Sequence, residues 1–287
     1  MVTGIEEARL DFHAELCEKL LLFTESKHGY NASNADASNK ASREIANNIA
    51  EQVGAKKGKK VAAQTIGNLF EDATSNYVKS TFAKFGHIRP GNWQIERVSS
   101  RNPLVIAQYQ QYGHLEAVYN ATLENPELAG LLGRDYSVAS DVVIYKHRLP
   151  DEEINKHGSI CDDSYIGNDD LRLASGSLPS LHASVSCKWT IRSDRAQNSR
   201  TEALDLIRKR KGRVPHIVVV TAEPLPSRLS SLCLGTGDLD CVYHFALQEL
   251  VEAVKAVDQS EAIDLLNVMI DSNRLKDIRD LPFDLAV

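Results

Sequence analysis

Asp141, Ser186, Lys188 and Glu202 stand in an order that suits the hydrolysis of a phosphodiester. Asp141 opens the β-branched run DVVIY at 141–145, and Lys188 lies within the alternating run SVSCKWTIR at 184–192. A strand sends alternate side chains to opposite faces, so Ser184, Ser186, Lys188 and Thr190 share one face while Ala183, Val185, Cys187, Trp189 and Ile191 share the other. Each acid alone has an ordinary structural explanation. A strand-end aspartate bonds backbone amides, and Ser199-Arg200-Thr201-Glu202 matches a helix capping box. The ordered set points to chemistry: an acid opening one strand, Ser-x-Lys on the next, and an acid on the helix that follows. Phosphodiester cleavage needs charge neutralised on the phosphate and an activated water, and carboxylate-bound Mg²⁺ supplies both.

RSDR follows at 192–195. Arginine pairs bidentately with guanine O6 and N7, and a carboxylate accepts from the cytosine amino group, so Arg192, Asp194 and Arg195 suit adjacent G·C pairs in a major groove. An acid would be repulsive in a stretch that only binds phosphate, which favours Asp194 as a base reader; an exposed, ion-paired turn is the alternative. Upstream, Gln64 and Glu71 are seven residues apart and share one face of a third helical stretch.

On these residues the chain resembles the PD-(D/E)XK nucleases, and within them the restriction endonucleases that cut sites with a CCGG core. Most of that superfamily has an acid at the place of Ser186. In the CCGG-cutting group a glutamate on the following helix supplies the missing carboxylate, and Glu202 matches its position. The resemblance takes in Glu71 and RSDR and runs the length of the chain. It implies an α/β, restriction-endonuclease-like core, a mixed central sheet with helices on both sides. The activity implied is that of a type II restriction endonuclease, Mg²⁺-dependent, cutting palindromic G·C-rich DNA, GCCGGC, to leave a four-base 5′ overhang. The implied partners are double-stranded DNA and further copies of the chain, two dimers forming a tetramer, with two Mg²⁺ per active site.

Within that frame Asp141 is expected to bind metal directly together with the backbone carbonyl of Cys187, while Glu71, Ser186 and Glu202 orient metal-bound water. An unperturbed lysine has a pKa of about 10.4, so Lys188 is expected to act by electrostatic stabilisation and water positioning rather than as a base. The resemblance adds Arg228, Asp36 and Gln64 as DNA contacts. Two rival readings stay open: a repair or recombination nuclease of the same superfamily, and a DNA-binding protein without catalysis.

The elements that must position these residues show in the periodicity. The first 90 residues read as helical, with Ile5, Ala8, Phe12, Leu16, Leu20 and Phe23 on one face of the first helix, a polar loop at 31–39, and KKGKK at 56–60 before a third helix from Val61 to Phe85. WQIERV at 93–98 suits a strand, and 103–132 returns to helix. Runs 141–145, 184–192 and 216–223 read as strands, with a helix at 199–213 as a crossover. Leu239, Val242, Ala246, Leu250, Val254 and Val257 mark a further helix, followed by another at 261–270. No linker divides the chain, so 1–287 reads as one domain: a helical part at 1–90, a catalytic sheet region at 93–223 and C-terminal helices at 238–287.

Composition fits a soluble globular protein: 43% of the 287 residues are hydrophobic and 25% charged. Five scattered cysteines form no C-x-x-C pair, which argues against a disulfide framework and for a reducing, cytoplasmic setting. The acidic start and short apolar runs predict neither export nor a membrane span. A formal charge of −6 disfavours nucleic acid only as a sum. Residues 188–228 hold 10 Lys/Arg against 4 Asp/Glu, while 238–287 hold 4 against 11. Attraction to phosphate acts within a Debye length of about 10 Å at 0.1 M salt, so the basic segment is the relevant quantity.

Overall fold

The β-branched runs form a six-stranded mixed sheet in the computed structural model, which describes residues 2–99, 104–132, 140–162, 164, 169–173, 177–235, 237–257 and 260–287, the side chains of 132 and 193–195 excepted. In spatial order the strands are β1 (Asn92–Arg97), β2 (Val142–His147), β3 (Ser180–Lys188), β4 (His216–Thr221), β5 (Cys241–His244) and β6 (Leu275–Asp277). β1, β2 and β3 pair antiparallel; β3 to β6 pair parallel. A strand covered on both faces reads as a continuous apolar run. β4 is such a strand, with Ile217, Val218, Val219 and Val220 all buried. β3 is paired on both sides, and even Ser184 and Ser186 are buried, so its alternation does not mark an exposed edge.

Helices cover both faces, as expected. On the Val185 and Cys187 face lies α3 (Ala63–Phe82), whose Phe70 ring meets Trp189 edge-on with centroids 5.2 Å apart. On the Ser186 face lies α4 (Ser193–Lys209), the crossover from β3 to parallel β4; Glu202 on this helix comes within 3.9 Å of Lys188, and the carbonyl of Leu206 accepts from Tyr112 Oη at 3.0 Å. The N-terminal part contributes α1 (Gly4–Lys19) and α2 (Lys40–Gln52). Among the described residues no helix is long and apolar enough to cross a membrane.

Three expectations are corrected. First, residues 1–90 are not all helical: Leu22–Ser26 pairs antiparallel with Gly29–Ala32 and parallel with Lys56–Lys57. The three-residue spacing from Leu20 to Phe23 is coincidental, because α1 ends at Lys19 and Phe23 belongs to this small sheet, whose third strand is 33 residues further on. Second, Leu239 and Val242 do not share a helix with Leu250; Val242 is in β5, and the helix is α6 (Leu247–Ala256). All these residues are buried, and burial of a short parallel strand imitates a helical stripe. Third, α4 starts at Ser193, six residues before the apparent capping box. Ser199 is therefore mid-helix.

α1, α6 and β6 are joined by a buried ion cluster. Arg9 is 4% exposed and reaches Glu249 on α6 at 2.6 Å and Asp277 in β6 at 3.1 Å. Removing one partner from such a cluster strands the others in low dielectric, at a cost of about 3–5 kcal/mol. Arg9→Met is therefore expected to lower the urea unfolding midpoint by a stability loss of about 3 kcal/mol with little change in the denaturant slope. A midpoint equal to that of the parent would show that the cluster contributes no net stability.

Candidate active site and adjoining cleft

Val142 stands opposite Val185 in the antiparallel β2–β3 pair, so Asp141, one residue earlier, faces Ser186 and lies on the same side of the sheet as Lys188. Its Oδ2 accepts from three donors: the Cys187 amide at 2.7 Å, Lys188 Nζ at 3.2 Å and Ser186 Oγ at 3.4 Å. The N–H and C=O of one strand residue point to the same side, so the amide that meets Asp141 brings the Cys187 carbonyl towards it as well. The Cys187 thiol is buried on the other face. Burial and then the charge of Asp141 push it well above the ordinary thiol range, which leaves it uncharged and unreactive.

Glu202 reaches the same point from the third turn of α4, its Oε2 3.9 Å from Lys188 Nζ. The capping explanation for Glu202 fails because the helix begins at Ser193. Burial raises the Glu202 carboxyl above its usual range; Asp141 adds to this, and Lys188 opposes it. Glu71 comes from α3, where Arg97 at the end of β1 donates to its Oε2 at 2.9 Å. Burial and the charge of Asp141 raise Glu71 in spite of that guanidinium. Burial also disfavours the Lys188 ammonium, but Asp141 and Glu202 prevail and hold its pKa above the ordinary lysine value.

Three acids thus crowd one lysine, two of them with carboxyls raised by burial and by mutual repulsion, and such a cluster favours a further cation. Among the described residues no three His, Cys, Asp or Glu side chains lie close enough to hold a metal by themselves. Asp141 and the Cys187 carbonyl are hard oxygen donors, and a short protein ligand set fits Mg²⁺, which keeps several of its waters.

Beside this point opens a cleft of about 620 Å³, lined among others by Asp36, Lys60, Gly67, Lys188, Arg192 and Glu202. Arg192 is exposed as the N-cap residue of α4. A neighbouring hollow shares Asp36 and Arg192 and adds Arg228 from α5 (Pro226–Cys233). Asp36 is ion-paired with Arg228 and accepts from the Ser38 hydroxyl at 2.6 Å; Ser38 and Arg228 hold its carboxyl far below the usual range. Gln64 is exposed on the first turn of α3, two turns or roughly 10 Å before Glu71. Asp194 and Arg195 lie in the first turn of α4, and their side chains are outside the described residues.

The fold therefore gathers Asp141, Ser186, Lys188, Glu202 and Glu71 at one site, and Asp36, Arg192 and Arg228 beside it. Two residues at the site escaped sequence reading. Arg97, which holds Glu71, looks like any arginine ending an alternating strand. Glu223, buried beneath Arg228, carried one signal, an acid two residues past a strand with the apolar run Ile217–Val220.

Comparison with known proteins gives three findings. A family model described as NgoMIV restriction enzyme matches residues 12–287. A curated relative, the type II restriction enzyme NgoMIV of Neisseria gonorrhoeae, is 50% identical over 283 residues, 98% of each chain. Two solved structures align at low similarity: the BsaWI–DNA complex, 13% identical over 99% of this chain and 93% of that one with a TM-score of 0.33, and the PspGI–substrate DNA complex, 14% identical over 98% and 89% with a TM-score of 0.26.

Proposed function

The chain belongs to the NgoMIV restriction enzyme family, and from that premise we propose that it is a type II site-specific deoxyribonuclease that cuts GCCGGC in the presence of Mg²⁺, leaving a four-base 5′ overhang. The observation that carries this reading is the convergence of Asp141, Ser186, Lys188 and Glu202, from two strands and the crossover helix, beside a cleft lined by Arg192 and Asp36.

Asp141 and the Cys187 carbonyl are the residues that would hold Mg²⁺, two ions completing each site. Bound there, Mg²⁺ neutralises phosphate charge and lowers the pKa of coordinated water. Glu71, Glu202 and the Ser186 hydroxyl are the acceptors that would orient such water. Lys188, held charged by Asp141 and Glu202, has no lone pair to take a proton; its ammonium stabilises the negative charge that develops on the phosphate.

Base reading falls to the cleft. Arg192, Asp194 and Arg195 suit the inner G·C pairs, Arg228 and Asp36 the outer ones, and Gln64 the minor groove. The Asp36–Arg228 pair exchanges its internal bond for a guanine acceptor edge and a cytosine amino group, so each charge stays compensated on either side of binding. A palindromic target calls for a twofold dimer, and two such dimers make the tetramer. The core is contiguous from α1 to the C-terminal helices, which supports one catalytic domain over 1–287, and the five scattered cysteines suit work in a reducing cytoplasm.

Incubation of the purified protein with plasmid DNA and Mg²⁺ tests the whole reading. Discrete fragments cut within GCCGGC and ending in four-base 5′ overhangs are expected. Nicking governed by DNA structure would replace this reading with a repair nuclease, and binding without cleavage would leave a non-catalytic reader.

A further inference from the structure

Glu223 takes no part in the chemistry above, yet it is fully buried where the base-reading segments meet. One carboxylate oxygen, Oε2, accepts from the backbone N–H of Ile191 at 2.7 Å, and Oε1 accepts from the N–H of Leu225 at 3.1 Å. Ile191 directly precedes Arg192. Leu225 directly precedes α5, which carries Arg228. The Arg228 guanidinium stands 3.9 Å from the same Oε2 and pairs with Asp36. From the loop of Asp36, buried Asn34 donates to the carbonyl of Ala222, the neighbour of Glu223, at 2.8 Å. Two segments distant in sequence, those of Asn34 and Ile191, are thus tied to Ala222 and Glu223, which lead directly into the helix of Arg228.

We propose that Glu223 is a positioning residue for sequence discrimination: its carboxylate fixes the segment of Arg192 against the helix of Arg228, so that inner and outer base pairs are read as one unit. This inference rests on the base-reading roles given to those two arginines.

A carboxylate is the group this place requires. Ionised, it is acceptor-only and meets two N–H donors; an amide or a protonated carboxyl sets a donor against one of them. Burial pushes Glu223 up to about 7, against the pull of the Ile191 and Leu225 amides and Arg228. The charged and titratable neighbours do not change state there. The Arg228 guanidinium faces the carboxylate, Asp36 is held ionised far below its usual range, and His244 on β5 is kept neutral by burial, which lowers its pKa to about 4. As pH falls through about 7 the carboxyl gains a proton and one of the two anchors is lost, so discrimination should rise with pH across that range.

The test measures cleavage of duplexes carrying GCCGGC and of duplexes with one base pair changed, from pH 6 to 8.5, for the parent, Glu223→Gln, Arg192→Ala and Arg228→Ala. The ratio of the two rates cancels the pH dependence of the chemical step, which both substrates share. In the parent the ratio is expected to rise by up to about tenfold with pH; in Glu223→Gln it should lie about tenfold lower at pH 8 and stay flat, the size expected for one backbone hydrogen bond. A Glu223→Gln enzyme with the parent's ratio, even if uniformly slower, would overturn the inference. If thermal melting shows that variant unfolded, the parent decides, and a flat ratio across pH overturns it. Unchanged ratios in both arginine variants would instead remove the base-reading assignment itself.

Discussion

Lys188→Ala is expected to slow phosphodiester cleavage by about 10³-fold while DNA binding changes by no more than a few fold. The ammonium lies 3.2 Å from Asp141 and 3.9 Å from Glu202, with only 16% of its side chain exposed, so its charge acts in a medium less polar than water. Serving as a base at neutral pH would require its pKa to fall by roughly 3 units, about 4 kcal/mol. The surroundings move it the other way. Lys188→Arg, which keeps the charge and alters its placement, is accordingly expected to lose rate with an unchanged pH profile. Loss of a basic limb in that variant would make Lys188 the base, and an alanine variant that cuts as fast as the parent would place the active site elsewhere.

Asp141→Asn is expected to lose Mg²⁺-dependent cleavage by about 10³-fold or more, since the several kcal/mol that a metal contributes to stabilising the transition state depend on holding it. Asparagine keeps the shape and can still accept from the Cys187 amide through its carbonyl oxygen. What it removes is the charge to which Glu71 and Glu202 both owe part of their raised carboxyl pKa. In the parent those two raised carboxyls are expected to set an acid limb of the rate profile, with activity falling as pH drops through it. The residual activity of Asp141→Asn should therefore show that limb at lower pH. Initial rates across pH at fixed Mg²⁺, with calorimetric titration of the ion into the protein–DNA complex, check both parts. Parent-like rates and ion affinity would remove Asp141 from the metal site.

Legibility in the sequence followed the range of the interaction concerned. β2 and β4 are near-continuous apolar runs, and the apolar period of α3 holds because Phe70, Ala73, Tyr77 and Val78 face the core. The Leu22–Ser26 strand resembles helix in its local pattern because its partners lie across a hairpin and beyond α2, where no window of local period reaches. Glu202 shows the same limit at the site. Its local pattern offered a sufficient structural reason in the capping box, and the start of α4 at Ser193 withdrew it.

By itself the sequence determined the chemical types and their order: an acid just before β2, Ser-x-Lys closing β3, an acid on the crossover helix and a basic segment after the strand. These are properties of residue type and short-range period. The tertiary structure alone decided that Arg97 grips Glu71, that Arg228 pairs with Asp36 across 192 residues, and that Glu223 joins Ile191 to Leu225. The physical reason is that a polar group's burial and partners depend on strand register and on the crossover that stacks α4 over β3, and both are set by long-range burial of apolar surface.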